Sequence, residues 1–284
     1  MEVKALHRTS TLTDSEIEAF YAVAVGAAEE AGAILLERFG KAKVEYKGEI
    51  DLVTDADRAS EKRIIEIISE AFPEHGIYAE ESGERASKAQ VRWLVDPIDG
   101  TTNYAHGFPL FAVSIAVEVE GQIVVGVVYN PVYQEKYTAI RGRGAWLNGE
   151  RIRVSATAEL DKSMLVTGFP YHVRTSADNN MDHFINFTMR SRAVRRLGSA
   201  ALDLAYVARG ALEGYWEAHL NPWDLAAGWL LVEEAGGKVT DLRGRPLTYE
   251  ARQILATNGK VHDQMLSVLA LGKTGLGKTE TGVS

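Results

Sequence analysis

The sequence predicts a layered α/β protein in which helices cover an antiparallel-rich sheet. Three observations carry this. Apolar residues recur with a helical period early in the chain, as at Phe20, Val23, Ala24, Ala27, Ala31, Ile34 and Leu35. From residue 91 the period drops to two over five successive segments. Beyond residue 160, strand-like and helix-like segments alternate, the pattern of layers that bury one another's apolar faces.

Taken in order, residues 1–13 read as a loose arm, and Asp14-Ser15-Glu16 opens a helix that stops near Gly40. A short strand at 44–46 and a polar loop follow. Thr54-Asp55-Ala56-Asp57 has the S/T-x-x-D form of a helix start, and Ile64, Ile65 and Ile68 mark its buried side as far as Phe72-Pro73. A strand at 77–80 ends in acid, and 83–90 is a charged loop. Strands are expected at 93–96, 112–119, 123–129, 135–140 and 145–147, with turns at Gly121-Gln122 and Asn148-Gly149. The second half reads as strand 163–167, helix 178–191, strand 193–197, a helix to Arg209, strand 214–217, helix 223–235, strands 238–241 and 254–257, and helix 261–271. The expected organisation is an arm (1–13), one unit (14–271) with halves of about 14–150 and 151–271, and a frayed Gly/Lys/Thr-rich tail (272–284).

At 284 residues and 46% hydrophobic, the chain can bury a large core, and disordered and fibrous classes are excluded. A formal net charge of −8 disfavours general binding to a polyphosphate backbone. With no cysteine, thiolate nucleophiles, disulfides and zinc–thiolate sites are impossible. No signal-peptide pattern stands in MEVKALHRTSTLTDSE, and apolar runs such as 22–28 are too short and interrupted to span a bilayer. The expectation is a cytoplasmic protein without a membrane segment.

Acids stand at element ends beside turn formers: Asp51 and Asp57, Glu80 and Glu81, Asp96 and Asp99, and Asp224. Any one of them alone reads as turn or capping chemistry. The stretch Asp96-Pro97-Ile98-Asp99-Gly100-Thr101-Thr102 differs, because Pro97 fixes φ and Gly100 permits a sharp turn, so two carboxylates and a carbonyl can converge. Oxygen-only ligands of this kind suit Mg²⁺, whereas zinc would favour His or Cys. Gly100, Thr101 and Thr102 would then offer amides and hydroxyls to a phosphate, aided by a helix if one starts at Thr102-Asn103.

Three ordered motifs make this more specific: Ala79-Glu80-Glu81-Ser82, then Trp93-Leu94-Val95-Asp96-Pro97-Ile98-Asp99-Gly100-Thr101-Thr102-Asn103, then Pro222-Trp223-Asp224-Leu225-Ala226-Ala227-Gly228 followed by Glu234-Ala235-Gly236-Gly237. Over roughly residues 14 to 270 the chain resembles the inositol monophosphatase family of Mg²⁺-dependent, lithium-sensitive phosphatases. The resemblance implies a five-layer αβαβα sandwich, shared with fructose-1,6-bisphosphatase-like proteins, a homodimer, and hydrolysis of a small phosphate monoester with two or three Mg²⁺ per subunit. It implies that Glu80, Asp96 and the carbonyl of Ile98 hold a first metal, and that Asp96 bridges to a second completed by Asp99 and Asp224. Asp57 matches an outer-sphere or third-metal acid, and Thr101 and Glu80 would orient the attacking water. Lys47 matches a basic residue of a mobile catalytic loop, with spacing one residue shorter than in animal members. Gly198, Ser199, Ala200 and Glu217 fall where the family contacts the alcohol half of the substrate, with Asp99 and Asp224 beside them.

Inositol monophosphate or a similar polyol phosphate is therefore the expected substrate. Fructose 1,6-bisphosphate, 3′-phosphoadenosine 5′-phosphate and histidinol phosphate are the alternatives within the superfamily. A different class of reading is a regulatory protein that engages a nucleic-acid-associated partner through Arg190, Arg192, Arg195 and Arg196, although a solvated helix end or subunit-interface ion pairs explain those residues as well. His106 and His219 read as hydrogen-bonding residues, and Trp93, Trp223 and Trp229 as core. The tail's two Gly-Lys-Thr triplets lack the spacing and flanking elements of a P-loop.

Overall fold

The computed structural model describes residues 12–41, 44–46, 52–85, 90–248 and 252–272. Helix α1 (Asp14–Arg38) starts on a capping box, in which Thr13 accepts from the Glu16 amide while Glu16 reaches back to Thr13. Strands β1 (Val44–Tyr46) and β2 (Leu52–Thr54) form an antiparallel pair. Helix α2 (Asp55–Ala71) begins on a second capping box, Thr54 with Asp57. Helices α1 and α2 pack on each other and on one face of an eight-stranded sheet.

That sheet contains β3 (Gly76–Ala79), β4 (Gly83–Arg85), β5 (Val91–Asp99), β6 (Ala112–Val119), β7 (Gln122–Asn130), β8 (Glu135–Ile140), β9 (Gly144–Leu147) and β10 (Glu150–Arg151). Its order is β10-β9-β8-β7-β6-β5-β3-β4, antiparallel except for the parallel pair β3 and β5. The five-residue helix α3 (Thr101–Ala105) follows β5 directly. A second sheet, ordered β12-β11-β13-β15-β14, is built from β11 (Met164–Thr167), β12 (Ala193–Arg195), β13 (Gly214–Ala218), β14 (Lys238–Thr240) and β15 (Gln253–Thr257). Here β11 runs parallel to β12 and β13, and β15 is antiparallel to β13 and β14.

Between the sheets lie α5 (Ala200–Ala208) and α6 (Pro222–Glu234), and outside the second sheet lie α4 (Met181–Thr188) and α7 (His262–Leu269). The result is the five-layer αβαβα sandwich. Burial follows from position: every residue of α5 is buried, because apolar sheet covers both sides of the middle layer. At Gly126 of β7 a β-carbon would come 2.8 Å from the Ala227 carbonyl oxygen of α6, so the close approach of helix to sheet requires glycine there. In the outer layer Leu35, Ile64 and Ile68 are fully buried, each stabilising the fold by about 1.5–3 kcal/mol relative to exposure.

Several elements differ from the sequence reading. Residues 52–54, expected in a polar loop, form β2, and 83–85 leave the charged loop to pair with β3. Helix α4 covers only Met181–Thr188, because Asn180 before it adopts a left-handed φ of 67°. Strand β5 continues past Asp96 to Asp99. By length and composition α1 is apolar enough to cross a membrane, contrary to the expectation from its interrupted runs, but Phe20, Ala24, Ala27, Ala28, Ala31 and Leu35 are consumed by packing. The expected arm as far as Thr11, the loop at 86–89 and the tail from 273 lie outside the described residues.

Candidate active site

Asp96 and Asp99 sit on a bulge. Along β5, Asp96 pairs with Ser114 and Asp99 with Ala112, so the two residues Pro97 and Ile98 on one strand oppose the single Val113 on the other. The extra residue re-aims the strand end, and Pro97 is accommodated there because a bulge leaves an amide unpaired anyway. Ser60 of α2 donates to the Pro97 carbonyl at 3.2 Å, and the Ile98 amide donates to Asp96 Oδ1 at 2.9 Å. Glu80 follows β3, the parallel neighbour of β5, and its amide donates to the Val95 carbonyl. Asp224 lies in the first turn of α6, where Oδ2 accepts from the Asn221 amide at 2.7 Å.

These elements bring Glu80, Asp99 and Asp224 around Asp96. Burial raises Asp96 well above the usual carboxylate range, and the charges of Glu80, Asp99 and Asp224 raise it further, with a side-chain hydrogen bond to Glu80. A hydrogen bond between two carboxyl groups requires a shared proton. Asp99 is pushed up to about 6 by burial, against donors from Ser199, Ala200 and Ala201 that favour its charged form. Asp224 is likewise raised, first by burial and then by Asp99, Glu80 and Glu217, although the Asn221 amide opposes this.

The donor set fits a hard divalent cation: all side-chain donors are carboxylate oxygens, and no Lys or Arg among the described residues forms an ion pair with Asp96, Asp99 or Asp224. The arrangement is not a ready-made cage. Among the described residues no three Asp, Glu or His side chains already converge on one point as ligands would. The reason is visible in their hydrogen bonds, since each carboxylate is turned onto protein donors or onto a neighbouring acid. Taking up an ion therefore means reorienting carboxylates that already adjoin one another.

The remaining expected residues fall as follows. Thr101 Oγ1 donates to the Ile98 carbonyl at 3.0 Å and stands 3.3 Å from Asp57 Oδ1, which joins the turn between β5 and α3 to the start of α2. Asp57 is buried, capped onto Thr54, and pushed up to about 6, mainly by desolvation. Gly100 precedes α3 at a φ of 100°, a conformation that favours glycine, with Thr101 as the first helical residue and Thr102 exposed beside it. Gly198 approaches Gly100 closely: a β-carbon on Gly100 would lie 3.1 Å from the Gly198 carbonyl. Asn103 Nδ2 donates to the Leu197 carbonyl at 2.7 Å and holds that approach.

Ser199 and Ala200 point at Asp99. Ser199 Oγ donates to Asp99 Oδ2 at 2.5 Å, and the Ala200 amide donates to Oδ1 at 3.2 Å. Glu217, the penultimate residue of β13, accepts from Tyr215 at 2.6 Å and is pushed up to about 7, chiefly by burial. Lys47 and Asp51 lie outside the described residues. His106 is exposed with Nδ1 2.8 Å from the Thr102 carbonyl, and His219 Nε2 lies 3.5 Å from Asp178. Trp93 is fully buried.

Sequence reasoning missed Asp203. It occupies the interior of α5, is 1% exposed, and its Oδ1 has no hydrogen-bond partner. Burial raises it well above the usual range, with Glu217 and Asp99 adding to the effect. Only the break it makes in the apolar run Ala200-Ala201-Leu202-Asp203-Leu204-Ala205 signals it locally.

Comparison with known proteins agrees with this fold. The description "Inositol monophosphatase family" matches residues 16–270. An inositol-1-monophosphatase of Synechocystis sp. is 46% identical over 259 residues, covering 90% of each chain. The Nus factor SuhB of Escherichia coli is 44% identical over 249 residues, 86% of this chain and 93% of that one. The solved inositol monophosphatase from Anabaena superimposes with a TM-score of 0.83 at 46% identity, covering 89% of this chain and 96% of the other. Fold and site thus define a phosphatase of the layered αβαβα class. The chain belongs to the inositol monophosphatase family, whose members are generally metal-dependent.

Proposed function

We propose that the chain is a Mg²⁺-dependent phosphoric monoester hydrolase acting on inositol monophosphate or a similar small polyol phosphate. The observation that carries this is the crowding of the Glu80, Asp99 and Asp224 charges near buried Asp96, an arrangement costly without a cation. Glu80, Asp96 and the Ile98 carbonyl would hold one ion, with Asp96, Asp99 and Asp224 holding a second and Asp57 supporting a third. Bound there, Mg²⁺ supplies charge neutralisation, a lowered water pKa and stabilisation of the leaving oxygen.

The chain's own groups do the positioning. Water forms the new bond to phosphorus as the ester P–O bond breaks, and the departing alkoxide takes a proton from solvent to leave as the alcohol. Thr101 Oγ1, whose proton is directed at the Ile98 carbonyl, presents a lone pair to that water, and the Glu80 carboxylate receives its proton. Amides at the start of α3, which a helix cannot satisfy internally, face the phosphate. Ser199, Ala200 and Glu217 face the alcohol. The full reading includes inhibition by lithium, a homodimer and a cytoplasmic location.

The test is phosphate release from inositol 1-phosphate, fructose 1,6-bisphosphate, 3′-phosphoadenosine 5′-phosphate and histidinol phosphate, with Mg²⁺ and with chelator. Preference for the inositol ester and loss of activity in chelator are expected. Chelator-insensitive hydrolysis, or far faster turnover of the nucleotide or histidinol ester, overturns the reading.

A second reading is favoured by the relatives named Nus factor SuhB, 42–44% identical to this chain: a regulatory role with a nucleic-acid-associated partner. Asp96→Asn separates the two, because a physiological role that survives loss of hydrolysis supports the regulatory reading.

A further inference from the structure

Past Thr167 of β11, the backbone of Gly168 lies directly against the Glu217 carboxylate. A β-carbon built on Gly168 would overlap both Glu217 carboxylate oxygens. The φ of Gly168 lies outside the left-handed region, so room for the carboxylate, not backbone conformation, demands glycine here. The Gly168 amide favours the charged form of Glu217, and Tyr215, two residues earlier on the same face of β13, donates its hydroxyl to Oε2 at 2.6 Å.

Gly168 is itself fixed. Asn180 Nδ2 donates to the Gly168 carbonyl at 2.7 Å and stands 2.8 Å from Thr167 Oγ1, while Asn180 Oδ1 accepts from Trp216 Nε1 at 2.7 Å. The left-handed Asn180 and the two strand ends therefore form one hydrogen-bonded unit behind the carboxylate. Asp203, whose Oδ1 has no partner, and Asp99 disfavour a charge on Glu217, and Arg196 favours it.

We infer that Gly168 and Tyr215 are positioning residues that seat the Glu217 carboxylate as a fixed acceptor for a hydroxyl of the leaving alcohol, so that the chain selects phosphate esters of polyhydroxylic alcohols. The inference rests on the reading that Glu217 faces the alcohol. An ionised carboxylate has about four acceptor positions, so the Tyr215 hydroxyl leaves capacity for a substrate hydroxyl. A seated acceptor also loses less conformational freedom on binding than a mobile glutamate would.

The test measures the ratio of kcat/KM for inositol 1-phosphate to that for p-nitrophenyl phosphate, which carries no hydroxyl donor, under saturating Mg²⁺. Glu217→Ala is expected to collapse the ratio about tenfold or more, the effect of one lost charge-assisted hydrogen bond. Gly168→Ala is expected to lower it by a similar factor, mainly through KM for the inositol ester, and to add nothing in the Glu217→Ala background. Tyr215→Phe removes only the hydroxyl that Glu217 accepts and moves the ratio the same way, which keeps the test informative if Gly168→Ala fails to fold. A ratio that Glu217→Ala collapses but Gly168→Ala and Tyr215→Phe leave intact overturns the inference alone. A ratio untouched by Glu217→Ala overturns the underlying reading as well.

Discussion

Ser199 Oγ and Asp99 Oδ2 lie 2.5 Å apart, joined across 100 residues of chain. The same Oδ2 accepts the Ala201 amide at 2.7 Å, and Ser199 accepts from the Leu202 amide as the cap of α5. One acid thus closes the end of β5 onto a helix N-terminus, where a negative charge is favoured.

Replacing Ser199 by Ala removes both the cap and the hydrogen bond to Asp99. Urea unfolding is expected to show a loss of about 1–2 kcal/mol. The Mg²⁺ concentration for half-maximal hydrolysis is expected to rise about tenfold, the usual cost of losing the group that orients a ligand. An unchanged Mg²⁺ requirement would leave Ser199 a helix cap and nothing more.

Asp96→Asn removes one of four mutually repelling acids. The metal-free variant should melt higher than the parent by about 2–4 °C, as expected for about 1 kcal/mol in a chain of this size. Added Mg²⁺ should raise the melting temperature of the parent and not that of the variant. Hydrolysis should fall by about three orders of magnitude or more, measured as phosphate release.

Much of this site was legible in the sequence because its parts are local. Both helix starts obeyed their capping signals at Glu16 and at Thr54 with Asp57, and the strands of the first sheet showed their period of two. What sequence could not show depends on partners far along the chain. The bulge that turns Asp96 and Asp99 exists only against Ser114 and Ala112 of β6. Helix α4 is short because Asn180 bonds Thr167, Gly168 and Trp216 instead of extending the helix. Asp203 looks like one polar break in an apolar helix until β13 places Glu217 opposite it.

Asp203→Asn tests that uncompensated acid. The amide keeps the volume, cannot ionise, and offers a donor toward Glu217 and Asp99. At a pH high enough to ionise Asp203 the variant should be more stable to urea than the parent by about 1–2 kcal/mol, and the gain should shrink as pH falls and the parent binds its proton. A variant destabilised throughout that range would mean that the charged form of Asp203 is compensated within the fold.

The stability of the metal-free chain against pH carries two opposed contributions. Asp57 and Asp99 are pushed up to about 6 and Glu217 to about 7, all chiefly by burial. Their folded values exceed their unfolded values, so the folded state holds more protons and stability falls as pH rises from about 4 to about 7. His262 works the other way. It is fully buried between Thr240 and Thr257, each 3.0 Å from a ring nitrogen, and burial lowers it to about 4. Its folded value lies below its unfolded one, so its contribution is complete above about pH 6.5 and is lost as pH falls toward about 4. Burial also lowers His75 and His183. The raised acids, Asp57, Glu61, Asp96, Asp99, Asp203, Glu217 and Asp224, outnumber the three histidines, so the metal-free chain should lose stability on going from about pH 5 to about pH 7 when urea midpoints are compared. His262→Gln should steepen that loss by up to about 1.4 kcal/mol per pH unit below about pH 6.5, since one opposing proton is removed. Saturating Mg²⁺ should abolish or reverse the slope, because the ion competes with protons for the same carboxylates. A metal-free chain whose stability instead climbs steadily from about pH 5 to about pH 7 would show that the acids around Asp96 are already ionised and compensated by the fold alone.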